Sequence, residues 1–197
     1  MYIQKKADMA IETELKARVA DPDLIKAALS VRGKFLHSYI KKDSYWMFPD
    51  KPLLRLRIRS EEKSFPGSEP VRAVLVTYKT REFYGEMEVN NEREFSVSDS
   101  AVFEEILAQL GMQPDLQKEK QGRAWELDAA KENAPVLAEL SLVKELGWFI
   151  ELEIVDTACD GAALEQKRSR LLAILDELGI ARTAIERRSY SELLKQG

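Results

Sequence analysis

Polar and apolar residues alternate with a period of two along much of this chain, and the charged members of the alternation keep one sign for several positions. Residues i, i+2 and i+4 of a strand share one face. The pattern is clearest in Glu12-Thr13-Glu14-Leu15-Lys16, Arg55-Leu56-Arg57-Ile58-Arg59, Glu92-Arg93-Glu94 and Glu151-Leu152-Glu153. The opposite faces carry Ile11 and Leu15, then Leu54, Leu56 and Ile58, then Phe95 and Val97, then Leu152 and Ile154. Each stretch thus predicts a strand with one charged and one apolar face.

The remaining elements follow from the same reading. Met9 to Arg18 predicts a strand. Asp21-Pro22 caps a helix that carries Leu24, Ala27, Ala28 and Val31 and stops at Gly33. Lys34 to Phe48 reads as a long strand and Pro49-Asp50-Lys51-Pro52 as a turn. Leu53 to Arg59 and Val71 to Thr80 read as strands joined by a hairpin loop, Ser60 to Pro70. Glu82 to Asn91 fits a loop running into a strand that reaches Val97. Ser98-Asp99 then caps a helix with Val102, Phe103, Ile106, Leu107 and Leu110 on one face, ended by Gly111. Strands follow at Gln113 to Lys120, Arg123 to Leu127, Val136 to Val143 and Trp148 to Val155, with a turn at Asn133-Ala134-Pro135. Gly161 to Leu178 predicts a helix with Leu164, Leu171, Leu172, Ile174, Leu175 and Leu178 as its apolar set, ended by Gly179. Ser189 to Lys195 predicts a short helix with a capping box between Ser189 and Glu192. The sum is about eight strands and four helices, mostly with short connections, so the class is α+β with antiparallel pairing. No repeat or linker divides residues 1–197, and a single domain is expected, with 1–8 an uninformative N-terminus.

Composition narrows the function. The chain has 197 residues, 45% of them hydrophobic and 32% charged, which suits a globular protein with a real core rather than a disordered one. The net charge of −4, from 30 basic and 34 acidic residues, argues against a nucleic-acid partner held by bulk attraction. The sequence contains no apolar run that predicts a membrane span. The single cysteine, Cys159, leaves no internal disulfide and agrees with a reducing, cytoplasmic location.

A solvated sheet face usually mixes charge types. Here one strand offers three arginines in a row and others offer only glutamates. If the sheet closes into a barrel, the charged faces point inward and the helices at 22–31, 98–110 and 161–178 cover the apolar outside. So charged an interior needs a charged ligand. A polyphosphate held by Arg and Lys, with a divalent ion held by carboxylates, would match both sets.

These residues also carry a resemblance. The chain resembles the CYTH superfamily, the triphosphate tunnel metalloenzymes, and within it the class IV adenylyl cyclase-like branch. The E-x-E-x-K signature is present as Glu12, Glu14 and Lys16, D-x-Y as Asp43 and Tyr45, and L-R-x-R as Leu54, Arg55 and Arg57. Tyr78-Lys79, the pair Glu92 and Glu94, and L-G-x-F-x-E-x-E as Leu146 to Glu153 follow in order. Ser189-Tyr190-Ser191-Glu192-Leu193-Leu194 matches the S-Y-x-x-L-L ending of that branch. Three positions depart from the pattern. Gly122 stands where K-x-R expects arginine after Lys120, with Arg123 one place on. Ser141 stands where an aspartate is usual, and Asn90 where an arginine precedes E-x-E.

The resemblance implies a closed eight-stranded antiparallel barrel, a tunnel, with helices packed outside. It implies that Arg55, Arg57, Lys79 and Lys120 bind phosphate, with Arg59 and Arg123 as further candidates. Glu12, Glu14, Glu151 and Glu153 would hold Mg²⁺ or Mn²⁺. Lys16, with Glu12 and Glu14, would serve catalysis, and Asp43, Glu92 and Glu94 form a second tier. The implied reaction converts ATP to cyclic AMP and pyrophosphate. Hydrolysis of inorganic triphosphate, thiamine triphosphate or a nucleoside triphosphate is the alternative, and a non-catalytic nucleotide or polyphosphate sensor the second. A homodimer is compatible with the branch. The single histidine, His37, reads as a hydrogen-bonded or surface residue, Trp46, Trp125 and Trp148 as packing residues, and Glu165 to Arg170 as the wet face of its helix.

Overall fold

The computed structural model describes residues 11–128, 134–157 and 160–196. Met9, Asn133, Cys159 and the 1–8 segment lie outside the described residues. Eight strands, β1 (Ile11–Arg18), β2 (Lys34–Phe48), β3 (Lys51–Ser64), β4 (Val71–Tyr84), β5 (Met87–Ser96), β6 (Gln113–Leu127), β7 (Val136–Val143) and β8 (Gly147–Asp156), form a closed antiparallel barrel in the order β1-β5-β4-β3-β2-β6-β7-β8. The expected α+β barrel is therefore present. Its outside carries α1 (Pro22–Arg32), α2 (Ser100–Gln109) and α3 (Gly161–Glu177), and α4 (Tyr190–Leu194) follows near the C-terminus.

Asp21, Asp99 and Asp160 cap the first three helices by accepting from backbone N–H groups, and Ser189 with Glu192 forms the capping box of α4. The strands run longer than the alternation suggested. β3 continues through Glu61 and Lys63, which leaves a hairpin loop of 65–70 only. β6 is continuous through Gly122 because β2 and β7 pair with it on both sides.

The main core lies outside the barrel wall, between β1, β7, β8 and helices α1 and α3. Leu15, Trp125, Leu140, Ile150, Leu171 and Leu175 are among its buried members. A smaller cluster of Trp46, Ile58, Val76, Leu107 and Met112 sits under α2. Trp148 packs against the main core, as its packing assignment required.

Two helix faces differ from expectation. On α1, Ile25 and Leu29 are buried, while Leu24 and Val31 are exposed. On α2, Phe103 and Leu107 face the barrel, while Val102, Ile106 and Leu110 are exposed. The α1 stripe is offset by one residue towards Ile25 and Leu29, and on α2 only the Phe103–Leu107 edge of the expected arc meets the barrel.

Candidate active site

The charged faces do point inward. The strand registers bring Glu12, Arg55, Lys79, Glu92, Lys120 and Glu151 onto the lining of one cavity of about 450 Å³. β1, β2, β4 and β7 begin at one mouth, and β3, β5, β6 and β8 end there. At the other end α4 lies across the lumen. Tyr190 is buried there, its ring 4.7 Å from Lys16 Nζ and 5.0 Å from Lys118 Nζ. Arg81 reaches Glu192 at 3.2 Å and Lys195 reaches Asp115 at 2.6 Å, which ties α4 to the barrel rim.

Every cation of the basic wall has a carboxylate partner. Arg55 pairs with Asp115 and lies over the Tyr45 ring at 4.9 Å. Arg57 donates to Thr77 Oγ1 at 3.0 Å and approaches Glu92 at 3.5 Å and Glu94 at 3.7 Å. Arg59 forks onto Asp43, Nε at 2.7 Å and Nη2 at 2.9 Å, and Lys118 meets the same carboxylate at 2.9 Å. Burial works to raise Asp43, but Lys118 and Arg59 outweigh it and hold the carboxyl well below the usual range. Asp43 is therefore an anchor for two cations. Lys79 lies 2.7 Å from Glu92, and Lys16 lies 3.6 Å from Glu88. Lys120 contacts Glu151 and lies 3.1 Å from Glu139, a carboxylate that also takes Lys41 at 2.6 Å and the Tyr39 hydroxyl at 3.0 Å.

The acidic wall is different. Among the described residues, Glu12, Glu14 and Glu153 have no basic group within 4 Å. Burial and then Glu92 push Glu12 up to about 7, and burial and then Glu151 push Glu14 up to about 7. Burial, Glu12 and Glu14 raise Glu153 well above the usual range. Glu151 is the exception, because Lys120 overrides its burial and holds it at about 2. An all-oxygen, charge-excess donor set of this kind suits a hard divalent cation. Among the described residues no three acidic or imidazole groups are already gathered as an ion site, so Glu12, Glu14 and Glu153 would have to close on the ion as it enters.

One expected site residue is elsewhere. Arg123 is exposed on the outer face of β6, beside Lys26 and Glu62, because the continuous strand alternates and Lys120 and Gly122 take the inner face. Gly122 and Ser141 turn out to be direct cross-strand partners, and Tyr39 pairs with Gly122 from the other side. A Cβ at 122 would lie 2.5 Å from the Leu140 carbonyl oxygen and 2.8 Å from the Tyr39 hydroxyl. The two departures thus meet at one place, where Tyr39 lies over Gly122 beside Ser141. Asn90 is buried, and neither of its amide atoms has a partner among the described residues.

Sequence reasoning missed Lys118 and Arg81, although each stands two residues from a predicted cation and so shares its face. Glu139 has no such neighbour, since Leu137 and Ser141 flank it on its own face. His37 is not a surface residue. It is 9% exposed, lines the cavity, and its Nε2 has no hydrogen-bond partner among the described residues.

The CYTH domain family model matches residues 10–190. No curated protein matches the sequence. Among solved structures, the PH1819 protein of Pyrococcus horikoshii OT3 is similar at 28% identity over 94% of this chain and 98% of that one, with a TM-score of 0.78. A candidate adenylate cyclase of Vibrio parahaemolyticus shares the fold at 19% identity, 94% and 98% coverage, and a TM-score of 0.72. So does the candidate adenylyl cyclase HpAC1 of Hippeastrum, described as having a dominant triphosphatase activity, at 13% identity, 96% coverage of both chains and a TM-score of 0.63.

Proposed function

Because the chain belongs to the CYTH domain family, we propose that it is a metal-dependent enzyme acting on a triphosphate held in the barrel lumen, and that it converts ATP to cyclic AMP and pyrophosphate. The observation that carries this reading is the split of one cavity into a wall of anchored cations and a wall of carboxylates short of positive charge. A bound triphosphate with a divalent ion supplies the missing charge to both walls at once.

In this reading Arg55, Arg57 and Lys79 bind phosphate oxygens, and Lys118 and Lys120 add charge beside Tyr190. The arginine forks suit two oxygens each, and the lysines act as point charges. Asp115, Glu92 and Asp43 keep the cations aimed inward while no substrate is present, which removes the reorganisation a free side chain would need. Glu12, Glu14 and Glu153 hold Mg²⁺ or Mn²⁺, with Glu151 beside them. The ion would neutralise phosphate charge and polarise the phosphoryl oxygens. Lys16 moderates Glu14 and Glu88 from the closed end. The ribose 3′-oxygen forms a bond to the α-phosphorus, the bond from that phosphorus to the β-phosphate oxygen breaks, and the hydroxyl proton ends on the departing pyrophosphate.

The test is incubation of the protein with ATP and either metal, with chromatography of the products. Cyclic AMP with pyrophosphate supports the reading. ADP with phosphate, or turnover of tripolyphosphate alone, replaces cyclisation by hydrolysis. No turnover of ATP, tripolyphosphate or thiamine triphosphate with either ion rejects the enzyme altogether.

A further inference from the structure

Asn90 holds two polar atoms that the fold leaves without a partner. It stands on the lumen face of β5, between Glu88 and Glu92, and its ladder partners on that face are Glu12 on β1 and Arg81 on β4. All four of these neighbours line the cavity. Asn90 is shorter than each of them and has no exposed surface, so it forms the floor between them. Neither its amide oxygen nor its amide nitrogen has a hydrogen-bond partner among the described residues. Two orphaned atoms in one buried side chain are costly unless a ligand meets them. The charged neighbours are engaged elsewhere. Arg81 approaches Glu88 at 3.5 Å and Glu192 at 3.2 Å, and Lys79 lies 2.7 Å from Glu92. Glu12, directly across the ladder, has no basic group within 4 Å among the described residues.

Resting on the metal-dependent reading above, we propose that the Asn90 amide oxygen is a further ligand of the divalent ion, added from β5 to Glu12, Glu14 and Glu153. The register supports the grouping. Glu12 pairs with Asn90, and Glu14, two places along β1 on the same face, pairs with Glu153 of β8. Three carboxylates already outweigh the charge of one divalent ion. A neutral oxygen adds a bond without adding repulsion, and hard cations accept amide oxygens beside carboxylates. The arginine that the family pattern places here would repel the ion instead. The asparagine therefore moves position 90 from the basic set of the lumen to its ion-binding set.

Mn²⁺ binding to the metal-free protein without substrate, followed by the paramagnetic resonance signal of the free ion, reads the site directly. Asn90→Leu keeps the shape and removes both polar atoms. It should weaken Mn²⁺ about tenfold, while the metal-free variant melts no lower than wild type. Asn90→Asp should tighten Mn²⁺ several-fold, since ligand charge tunes oxygen sites, and should lower the metal-free melting temperature. Asn90→Arg should weaken Mn²⁺ most. A purely structural asparagine gives the reverse pattern, a lower melting temperature for Asn90→Leu with unchanged Mn²⁺ affinity, and that result overturns the assignment. Metal-free binding of tripolyphosphate that falls in Asn90→Leu while Mn²⁺ binding holds also overturns it, because the amide then serves phosphate. A wild type that binds neither Mn²⁺ nor Mg²⁺, with or without tripolyphosphate, rejects the metal-dependent reading and Asn90 with it. Tight wild-type binding that Asn90→Leu leaves unchanged rejects the role of Asn90 alone.

Discussion

The two walls of the lumen solve opposite problems. On the basic wall, Arg57, Arg59, Lys79 and Lys120 each rest on a carboxylate, so their charges are already paired. On the acidic wall, Glu12, Glu14 and Glu153 face one another without a counter-charge within 4 Å among the described residues. The contrast separates groups that hold shape from groups that wait. Removing a carboxylate from the first wall leaves a buried cation alone, whereas removing one from the second relieves repulsion.

Substitutions with glutamine set this comparison its hardest test. Glu14→Gln or Glu153→Gln should lower kcat by about 100-fold or more, as loss of a metal ligand does. The same variants should raise the metal-free melting temperature at pH 8, read by calorimetry. Glu139→Gln should do the reverse to stability, costing on the order of 3 kcal/mol by chemical denaturation, because Lys41 and Lys120 lose their shared anchor. A metal-free Glu14→Gln variant that melts lower than wild type would show that the acidic wall is compensated after all.

Acidity sharpens the same contrast. Glu12 and Glu14 have folded-state values near 7 against 4.5 when unfolded, so the folded protein binds extra protons between those limits. Metal-free stability should therefore fall as pH rises from 4.5 to about 7. Millimolar Mg²⁺ or Mn²⁺ should flatten the decline. Glu151, held at about 2, contributes with the opposite sign, and its share is lost only as pH falls from 4.5 towards 2. Thermal melts across pH 2 to 8, with chelator and with metal, measure both limbs. At Gly122, alanine should cost about 1–3 kcal/mol from overpacking, and adding Tyr39→Phe should not restore it, since the Leu140 carbonyl is the nearer obstacle. The smallest effect is expected at Arg123. Alanine there should leave the KM for ATP within about twofold, since the residue lies outside the barrel.

How much of this was legible in the sequence depended on neighbours two places away. Glu12 with Glu14, Arg55 to Arg59 and Glu151 with Glu153 announced their face through repetition, whereas closure of the barrel came from the family resemblance. Glu139 was hidden because its own face offers only Leu137 and Ser141 beside it, so no periodic charge marks it. His37 was hidden for a different reason. Its setting is made by Phe65, distant in sequence and brought near by the β2–β3 pairing. The outward stripe Val102, Ile106 and Leu110 misled because helical spacing identifies an apolar arc but not which edge of it the barrel touches.

The position of α4 has a consequence for traffic. With Tyr190 seated among Lys16, Lys118 and Lys120, the lumen is a dead end rather than a passage. Ligands must then leave in the reverse of the order in which they sit. A fragment released near the mouth departs first, and the polyanion behind it stays until the way is clear. Pyrophosphate should consequently be the last species out and a strong competitive inhibitor of the next turnover, with loosening of α4 the quickest route to faster release.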